Sequence, residues 1–183
     1  MAVLCTAFSA FAEETEQPIT GSCGEKLRYE YYQSTRTLTI IGNGNIPNYP
    51  SDKIEGSIAP WRNDSRIDNY LEKVVISDGV TSIGENAFFW CDKITSVTIS
   101  SSVKSIGIGA FYSCKALTGI TIPNGAESIG EDAFQYCDSL KEVTIPGSVK
   151  SIGEGAFSNC YYEKTDDDYN ITYSRGLEKV IIQ

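Results

Sequence analysis

The sequence predicts a β-dominated solenoid, in which the chain winds into stacked coils of equal length. The first observation is a 23-residue period that four consecutive copies hold without a gap, and a strict period of this length is the signature of a repeat architecture. The copies are Leu71–Lys93, Ile94–Ala116, Leu117–Ser139 and Leu140–Tyr162. The second observation is the alternation of apolar and polar residues early in each copy, which predicts a short strand with one buried face. Equivalent strands of successive copies then stack in parallel, about 4.8 Å apart.

The last copy shows the predicted shape of one coil. Its stretch Leu140–Ile145 predicts the first strand, which Pro146 and Gly147 end. The stretch Val149–Gly153 brings a second extended piece back to the core, and Glu154–Phe157 predicts a tight turn or a single helical turn. Each coil therefore has two extended pieces and a corner.

Residues at equivalent places in the four copies are expected to stack into interior columns. The apolar columns are Ile76, Ile99, Ile122 and Ile145; Ile83, Ile106, Ile129 and Ile152; Phe88, Phe111, Phe134 and Phe157; and Ala87, Ala110, Ala133 and Ala156. We expect the phenylalanines to fill the widest part of the coil. The glycine column consists of Gly84, Gly107, Gly130 and Gly153. A positive φ or a close approach of two backbones explains it.

A column of cysteines has the same spacing: Cys91, Cys114, Cys137 and Cys160. Four ligands in a line span roughly 14 Å, so they cannot converge on one tetrahedral zinc ion. Disulfides between neighbouring coils are not excluded by Cα separation alone. We expect small, buried, reduced thiols, because free cysteine is among the most buried residue types. Cys23 has no obvious partner, and its redox state stays open.

The segments before the repeats are of three kinds. Residues 1–12 are small and apolar and end in an A-x-A pattern, which predicts the remnant of a secretory signal peptide without its basic start; an N-terminal strand is the alternative. Residues 13–20 are expected to be a flexible lead-in. Residues 21–70 are expected to cap the solenoid with a β-hairpin, Leu27–Tyr31 and Thr37–Ile41, and a segment at Trp61 behind it.

The chain departs from the period after the fourth copy. Residues 163–176 are an insert, and 177–183 begin a partial fifth repeat. Asp166, Asp168 and Asn170 resemble the first ligands of a calcium loop, but the glycine and glutamate that such a loop needs are missing. The insert is therefore expected to be a solvated loop, with calcium as the minor alternative. We expect either a fragment of a longer repeat protein or an end closed by a partner or a second copy of the chain.

The composition excludes several classes of function. The chain has no histidine, which removes histidine-based catalysis, histidine-ligated zinc and imidazole pH switches. Its net charge of −9 opposes nucleic acid and anionic membranes. No apolar run approaches the roughly 20 residues of a transmembrane helix. We expect no enzyme and no cofactor, since neither a nucleophile–base couple nor a recurring carboxylate pair is visible.

The repeat pattern resembles a known family. The consensus L-x-x-V-x-I, followed by V-x-x-I-G-x-x-A-F-x-x-C, is similar to the BspA-like leucine-rich repeats. The standard leucine-rich repeat has Asn or Cys at its ninth position, where this chain has Gly79, Ser102, Gly125 and Ser148. The resemblance implies a leucine-rich-repeat solenoid of the α/β class and a secreted or cell-surface bacterial protein.

Candidate binding residues lie between the phenylalanine and cysteine columns. The two positions there vary between copies, which predicts outward side chains, and their aromatic members are Phe89, Trp90, Tyr112 and Tyr136. Such a strip suits a protein interface or stacking on sugars, and packing on the cap or on one another is the alternative. A second candidate is the outward, hydroxyl-rich strand face: Val75, Thr98, Thr121, Thr144, Lys73, Ser96, Gly119 and Glu142. Threonine is also simply a good strand residue.

Three functions follow as hypotheses. The first is a secreted or surface-displayed, adhesion-like module that recognises a protein or a surface glycan without chemistry, as solenoids commonly do. The second is a structural spacer of a larger surface protein with no ligand. The third, with the least support, is a hydrolase whose site lies in the insert 163–176.

Overall fold

The structure is a computed structural model that describes residues 16–51, 58–160, 162–165, 171–174 and 179–182. The predicted signal peptide and the candidate calcium ligands Asp166, Asp168 and Asn170 lie outside the described residues. Within the described part, no helix is both long and apolar enough to cross a membrane.

Short strands dominate the described chain. Before the repeats come β1 (Ile19–Ser22), β2 (Leu27–Tyr32), β3 (Thr37–Gly42), β4 (Gly44–Asn45), α1 (Pro60–Asn63) and α2 (Ser65–Asp68). The four copies hold β5 (Lys73–Ile76), β6 (Val80–Ile83), β7 (Ser96–Ile99), β8 (Ser105–Ile106), β9 (Gly119–Thr121), β10 (Ser128–Ile129), β11 (Glu142–Ile145) and β12 (Ser151–Ile152). They are followed by β13 (Tyr162–Thr165), β14 (Ile171–Ser174) and β15 (Lys179–Ile182).

Equivalent strands of successive copies pair in parallel, as the period predicts, except that β7 and β9 do not pair. Ile76 lies opposite Ile99 in the β5–β7 ladder, and Ile83 lies opposite Ile106 in the β6–β8 ladder. One side of the solenoid is a five-stranded sheet with the order β12-β10-β8-β6-β4. The other side is split into β1-β2-β3-β5-β7 and β15-β11-β9. The predicted β-dominated solenoid is therefore confirmed, and its corners are tight turns rather than helical turns.

The solenoid begins before the first copy that the 23-residue repeat predicts. Strand β3 pairs in parallel with β5, with Ile40 opposite Ile76, and β4 pairs in parallel with β6. The N–H of Ile46 donates to the carbonyl of Ser82, which continues this pairing to the corner. On the outer side, β2 and β3 form an antiparallel hairpin, to which β1 adds a third strand. Residues 37–49 therefore form an additional, diverged coil.

The phenylalanine column is the centre of the core. Phe88, Phe111, Phe134 and Phe157 stack nearly parallel, with ring centroids 5.1–5.3 Å apart. Trp61 extends the column on the N-terminal side, because its ring stacks on Phe88 at 5.0 Å. Its indole N–H donates to the carbonyl of Ala87 at 3.0 Å. The short helix α1 thus supplies a first rung that the repeat pattern does not encode.

Three residues of the predicted interior columns are not fully buried. Ile99 is half-buried, because β7 makes no ladder with β9 and the sheet opens beside it. Ile152 is 49% exposed and Phe157 is half-buried. Both lie in the last coil, where no described strand pairs with the outer edge of β12. The prediction of burial is wrong for these residues because a column is covered only where a neighbouring coil packs on it.

The glycine column is explained by close approach of two backbones. A Cβ added at Gly107 would lie 2.7 Å from the backbone nitrogen of Glu85, and at Gly153 it would lie 2.3 Å from that of Glu131. None of the four glycines has a positive φ. The coils therefore touch at this corner with no room for a side chain.

The insert after the fourth copy contains paired strands. Strands β13 and β14 are antiparallel, with Thr165 opposite Ile171. Alternating β-branched and aromatic residues such as those of Ile171–Ser174 favour strands, so the expectation of a plain loop is wrong for these two segments. After the insert, β15 pairs with β11 and places Ile182 opposite Ile145, which is the register of a further repeat.

A candidate aromatic recognition surface

The candidate surface lies on the corner between the phenylalanine and cysteine columns. In the first three copies, alternate backbone N–H groups of the corner donate to carbonyls of the next coil. Phe88 donates to Ala110 at 2.7 Å, and Trp90 donates to Tyr112 at 2.8 Å. These bonds hold successive corners in register, so side chains at the variable positions line up along the solenoid.

We define the aromatic surface as Phe89, Trp90, Tyr112 and Tyr136, and the structure brings all four side chains together. The rings of Phe89 and Tyr112 stack at 4.8 Å with an interplanar angle of 19°. The ring of Phe89 lies 6.3 Å from that of Trp90, and Tyr112 contacts Tyr136 edge-on at 5.3 Å. The sequence left open whether these side chains face outward or pack on one another, and the structure shows some of each.

Exposure differs among the four side chains. Trp90 is 54% exposed and Tyr136 is 37% exposed, whereas Phe89 and Tyr112 are half-buried. Ser113 lies between Trp90 and Tyr136 in the stack of coils and is buried. The prediction that all variable positions face outward is therefore wrong for Ser113, whose small side chain fits beneath its larger neighbours.

A small notch opens where Ser113 stands between the two exposed rings. We define the notch by its lining residues: Trp90, Tyr112, Ser113, Lys115, Tyr136 and Asp138. Its volume is about 250 Å³, below the roughly 300 Å³ at which pockets for drug-sized ligands begin. The aromatic rings thus share the notch with one ammonium group and one carboxylate.

Burial tunes two titratable groups of the notch. Partial desolvation raises the pKa of the Asp138 carboxyl above its usual value, while the Lys115 ammonium acts in the opposite direction. Burial also raises the pKa of the Tyr112 hydroxyl, and the hydroxyl of Tyr136 adds to this effect. The Tyr112 hydroxyl is thus held in its neutral form, which both donates and accepts hydrogen bonds.

The backbone of the corner is left-handed at two places in each coil. The first place is occupied by Asn86, Gly109, Asp132 and Gly155, and the second by Trp90, Ser113, Tyr136 and Asn159, with φ between 53° and 67° throughout. Gly, Asn and Asp tolerate this conformation, whereas it costs other L-residues roughly 1–2 kcal/mol. The first column thus follows backbone preference, and Trp90 and Tyr136 in the second do not.

The second candidate face, on the strands, lines a different depression. Ser96, Thr98, Gly119, Thr121, Glu142 and Thr144 border a groove of about 560 Å³ where β7 and β9 separate. Half-buried Val97 and Ile99 form part of its floor. This groove contains hydroxyl groups but no aromatic ring, so it is chemically distinct from the notch.

The cysteine column forms a buried ladder rather than a reactive site. Cys114, Cys137 and Cys160 donate S–H bonds to the carbonyls of phenylalanines in the preceding coil, with Sγ···O distances of 3.2–3.3 Å. Desolvation raises the pKa of Cys91 to about 12 and that of Cys160 to about 11. All five described cysteines, Cys23 included, are free and buried. The predicted burial of the column is confirmed.

Metal ligands are not grouped in the part of the chain that the structure describes. No group of three or more cysteine, aspartate or glutamate side chains there is arranged to hold an ion. The aromatic surface and the notch instead combine apolar ring faces with one ammonium group and one carboxylate.

Comparison with known proteins identifies the family. A family model for the BspA type leucine-rich repeat region matches residues 67–174 in six copies. The chain belongs to this family, as the repeat pattern predicts. No curated protein matches the chain.

Solved structures of leucine-rich repeat proteins share the fold. A leucine-rich repeat protein from Eubacterium ventriosum is 26% identical, with a TM-score of 0.62 over 92% of this chain and 45% of that chain. The leucine-rich repeat protein of T. pallidum is 28% identical, with a TM-score of 0.51 over 76% of this chain and 67% of that chain. One from Bacteroides ovatus is 27% identical, with a TM-score of 0.51 over 68% of this chain and 34% of that chain. This chain thus spans less than half of the first and third proteins.

Proposed function

We propose that this chain is a non-catalytic recognition module, secreted or displayed on a bacterial surface, that binds its ligand through the aromatic surface. The observation that carries the proposal is the pair of exposed rings, Trp90 and Tyr136, on left-handed backbone. Residues held in an unfavourable backbone conformation cluster at functional sites. Tryptophan and tyrosine are also enriched among residues that dominate binding energy.

The secreted or surface location is supported by the sequence. Its first 12 residues resemble the apolar part and cleavage site of a secretory signal. Five described cysteines are buried and desolvated, so the fold protects them in an oxidising environment. Export of the chain from its own gene, followed by N-terminal sequencing of the exported product, tests this part, with cleavage expected after Ala12.

The binding function is tested with the full chain and two matched variants. The chain is applied to an array of immobilised glycans and an array of purified extracellular proteins. Trp90→Ala with Tyr136→Ala removes the two exposed rings. Thr98→Ala with Thr121→Ala changes the strand groove instead and serves as the control. Melting curves of both variants establish that they are folded.

We expect a partner on one of the arrays whose binding weakens by about 30-fold or more in the aromatic variant, the effect of losing about 2 kcal/mol. The groove variant should bind normally. No partner on either array, or a partner that both variants bind normally, overturns the proposal and favours the spacer alternative.

A further inference from the structure

We propose that the notch binds one pyranose ring of an uncharged surface glycan, an inference that rests on the recognition function proposed above. Trp90, Ser113 and Tyr136 occupy the same position of three successive coils, and only the middle residue is small. Trp90 and Tyr136 lie two coils apart, so their backbones are separated by about 10 Å. The notch is therefore flanked by a ring on each side, with Ser113 and Tyr112 in its lining.

The lining matches the two sides of a sugar. A pyranose has an apolar face of C–H groups and a rim of hydroxyls. The rings of Trp90 and Tyr136 supply flat apolar surface for the C–H face. The carboxylate of Asp138 accepts hydrogen bonds from hydroxyls, and the ammonium of Lys115 donates to them. The small volume of about 250 Å³ suits a single ring rather than a larger group.

The same features disfavour a protein partner. The central part of a protein interface is depleted of charged residues and is ringed by polar ones. Here Lys115 and Asp138 lie within the notch itself. Around the notch only two aromatic side chains, Trp90 and Tyr136, are exposed, whereas a stable protein interface buries about 800 Å² on each partner.

Charge favours a neutral glycan over an acidic one. The chain carries a net charge of −9, which repels sulfated or carboxylated polymers at a distance. In the notch, one carboxylate balances one ammonium group, so the site itself offers no excess positive charge.

The two tryptophans provide a direct readout. Trp61 is fully buried and Trp90 is 54% exposed, so a sugar in the notch changes the emission of Trp90 and leaves that of Trp61 unaltered. The full chain is titrated with neutral trisaccharides of glucose, galactose, mannose and N-acetylglucosamine, and with a sulfated trisaccharide for comparison. Sorbitol, which has hydroxyls but no ring face, is the negative control.

Four variants locate the binding. Ser113→Tyr fills the notch with a third ring, and Asn159→Tyr adds the same ring at the equivalent position one coil beyond Tyr136 as its control. Asp138→Ala removes the acceptor without adding bulk, so it keeps the test valid if Ser113→Tyr does not fold. Asp92→Ala, at the equivalent position two coils earlier and outside the notch, is its control.

We expect a saturable change with at least one trisaccharide and none with sorbitol. Its affinity should fall at least tenfold in Ser113→Tyr and Asp138→Ala and stay within about twofold in the two controls. Binding that all four variants retain, or a preference for sulfated sugars, overturns this inference. If no trisaccharide binds but an arrayed protein does so through Trp90 and Tyr136, the glycan inference fails and the recognition function stands. If neither binds, both fail.

Discussion

The thiol of Cys114 donates a hydrogen bond to the backbone carbonyl of Phe88 in the preceding coil, with an Sγ···O distance of 3.3 Å. The same carbonyl accepts the N–H of Cys91, its neighbour within the coil, at 3.1 Å. Cysteine suits this place because it is small, readily buried and still carries a weak donor. From the second copy onward, the column thus ties each corner to the phenylalanine of the coil before it.

Replacing Cys114 with alanine should destabilise the protein more than the same change at Cys91. Both thiols are buried, so both variants lose packing, but only Cys114 has a hydrogen bond to a preceding phenylalanine. We expect the difference in the free energy of unfolding to be about 0.5 kcal/mol, at the low end for a hydrogen bond because thiol donors are weak. Urea titrations measure it, and equal midpoints would show that the bond contributes nothing.

Stability should fall steeply above about pH 8.5. Unfolded thiols deprotonate near that pH, while burial holds the pKa of Cys91 at about 12 and that of Cys160 at about 11 in the folded state. The unfolded state therefore binds fewer protons, and each buried thiol lowers the free energy of unfolding by about 1.4 kcal/mol per pH unit. This loss continues until the pH passes the folded pKa, and below about pH 8.5 the contribution is complete.

Urea titrations between pH 6 and pH 10 test this dependence. The chain has no histidine, so stability should change little between pH 6 and pH 8. The double variant Cys114→Ala with Cys137→Ala should show a shallower decline above pH 8.5. An unchanged slope in that variant would exclude the column as the cause.

The variant Trp90→Gly should be more stable than the variant Trp90→Ala. The φ of Trp90 is 60°, and both substitutions remove the ring, so their difference isolates the left-handed backbone. Glycine adopts this conformation freely, and we expect an advantage of about 1 kcal/mol. At position 112, where the backbone is not left-handed, alanine should be the better residue. Thermal melts of the four variants measure both differences, and the same order at both positions would contradict the strain argument.

Substitutions of Trp61 should separate its two roles. Trp61→Phe keeps a ring on Phe88 but leaves the carbonyl of Ala87 without the indole donor, which costs about 1–3 kcal/mol. Trp61→Ala also opens a cavity and should cost about 3–5 kcal/mol. Trp90→Phe, at an exposed ring, is the control and should change stability by less than about 0.5 kcal/mol. A loss in Trp61→Phe as large as in Trp61→Ala would mean that stacking contributes little.

The repeated part of the fold was predictable because each copy has the same pattern of apolar, glycine and cysteine residues. The period alone places Ile76 opposite Ile99 and stacks Phe88 on Phe111. The diverged coil at residues 37–49 escapes this reasoning, since β3 pairs with β5 at a separation that matches no period. Only its alternating strand pattern is visible in the sequence.

The candidate site was predictable in composition but not in shape. Variation between copies correctly marks Phe89, Trp90, Tyr112 and Tyr136 as neighbours on one corner. The notch depends on the burial of Ser113 and on the left-handed backbone of its neighbours. Those conformations follow from hydrogen bonds between coils that residue identities do not reveal, although a small residue between two aromatic ones was a signal in the sequence.

Near-identical copies can pair with the wrong neighbour, and Trp61 disfavours such mispairing. A chain built from interchangeable units can align one whole unit out of step at little energetic cost, because each mispaired coil meets nearly the same partner. Trp61 is the one indole in a column of phenyl rings, and its N–H reaches a carbonyl of the first full copy alone. Only the native register therefore lets Trp61 stack on the first phenylalanine and donate its hydrogen bond. Registers shifted by one repeat lose both the stacking of the large ring and this hydrogen bond.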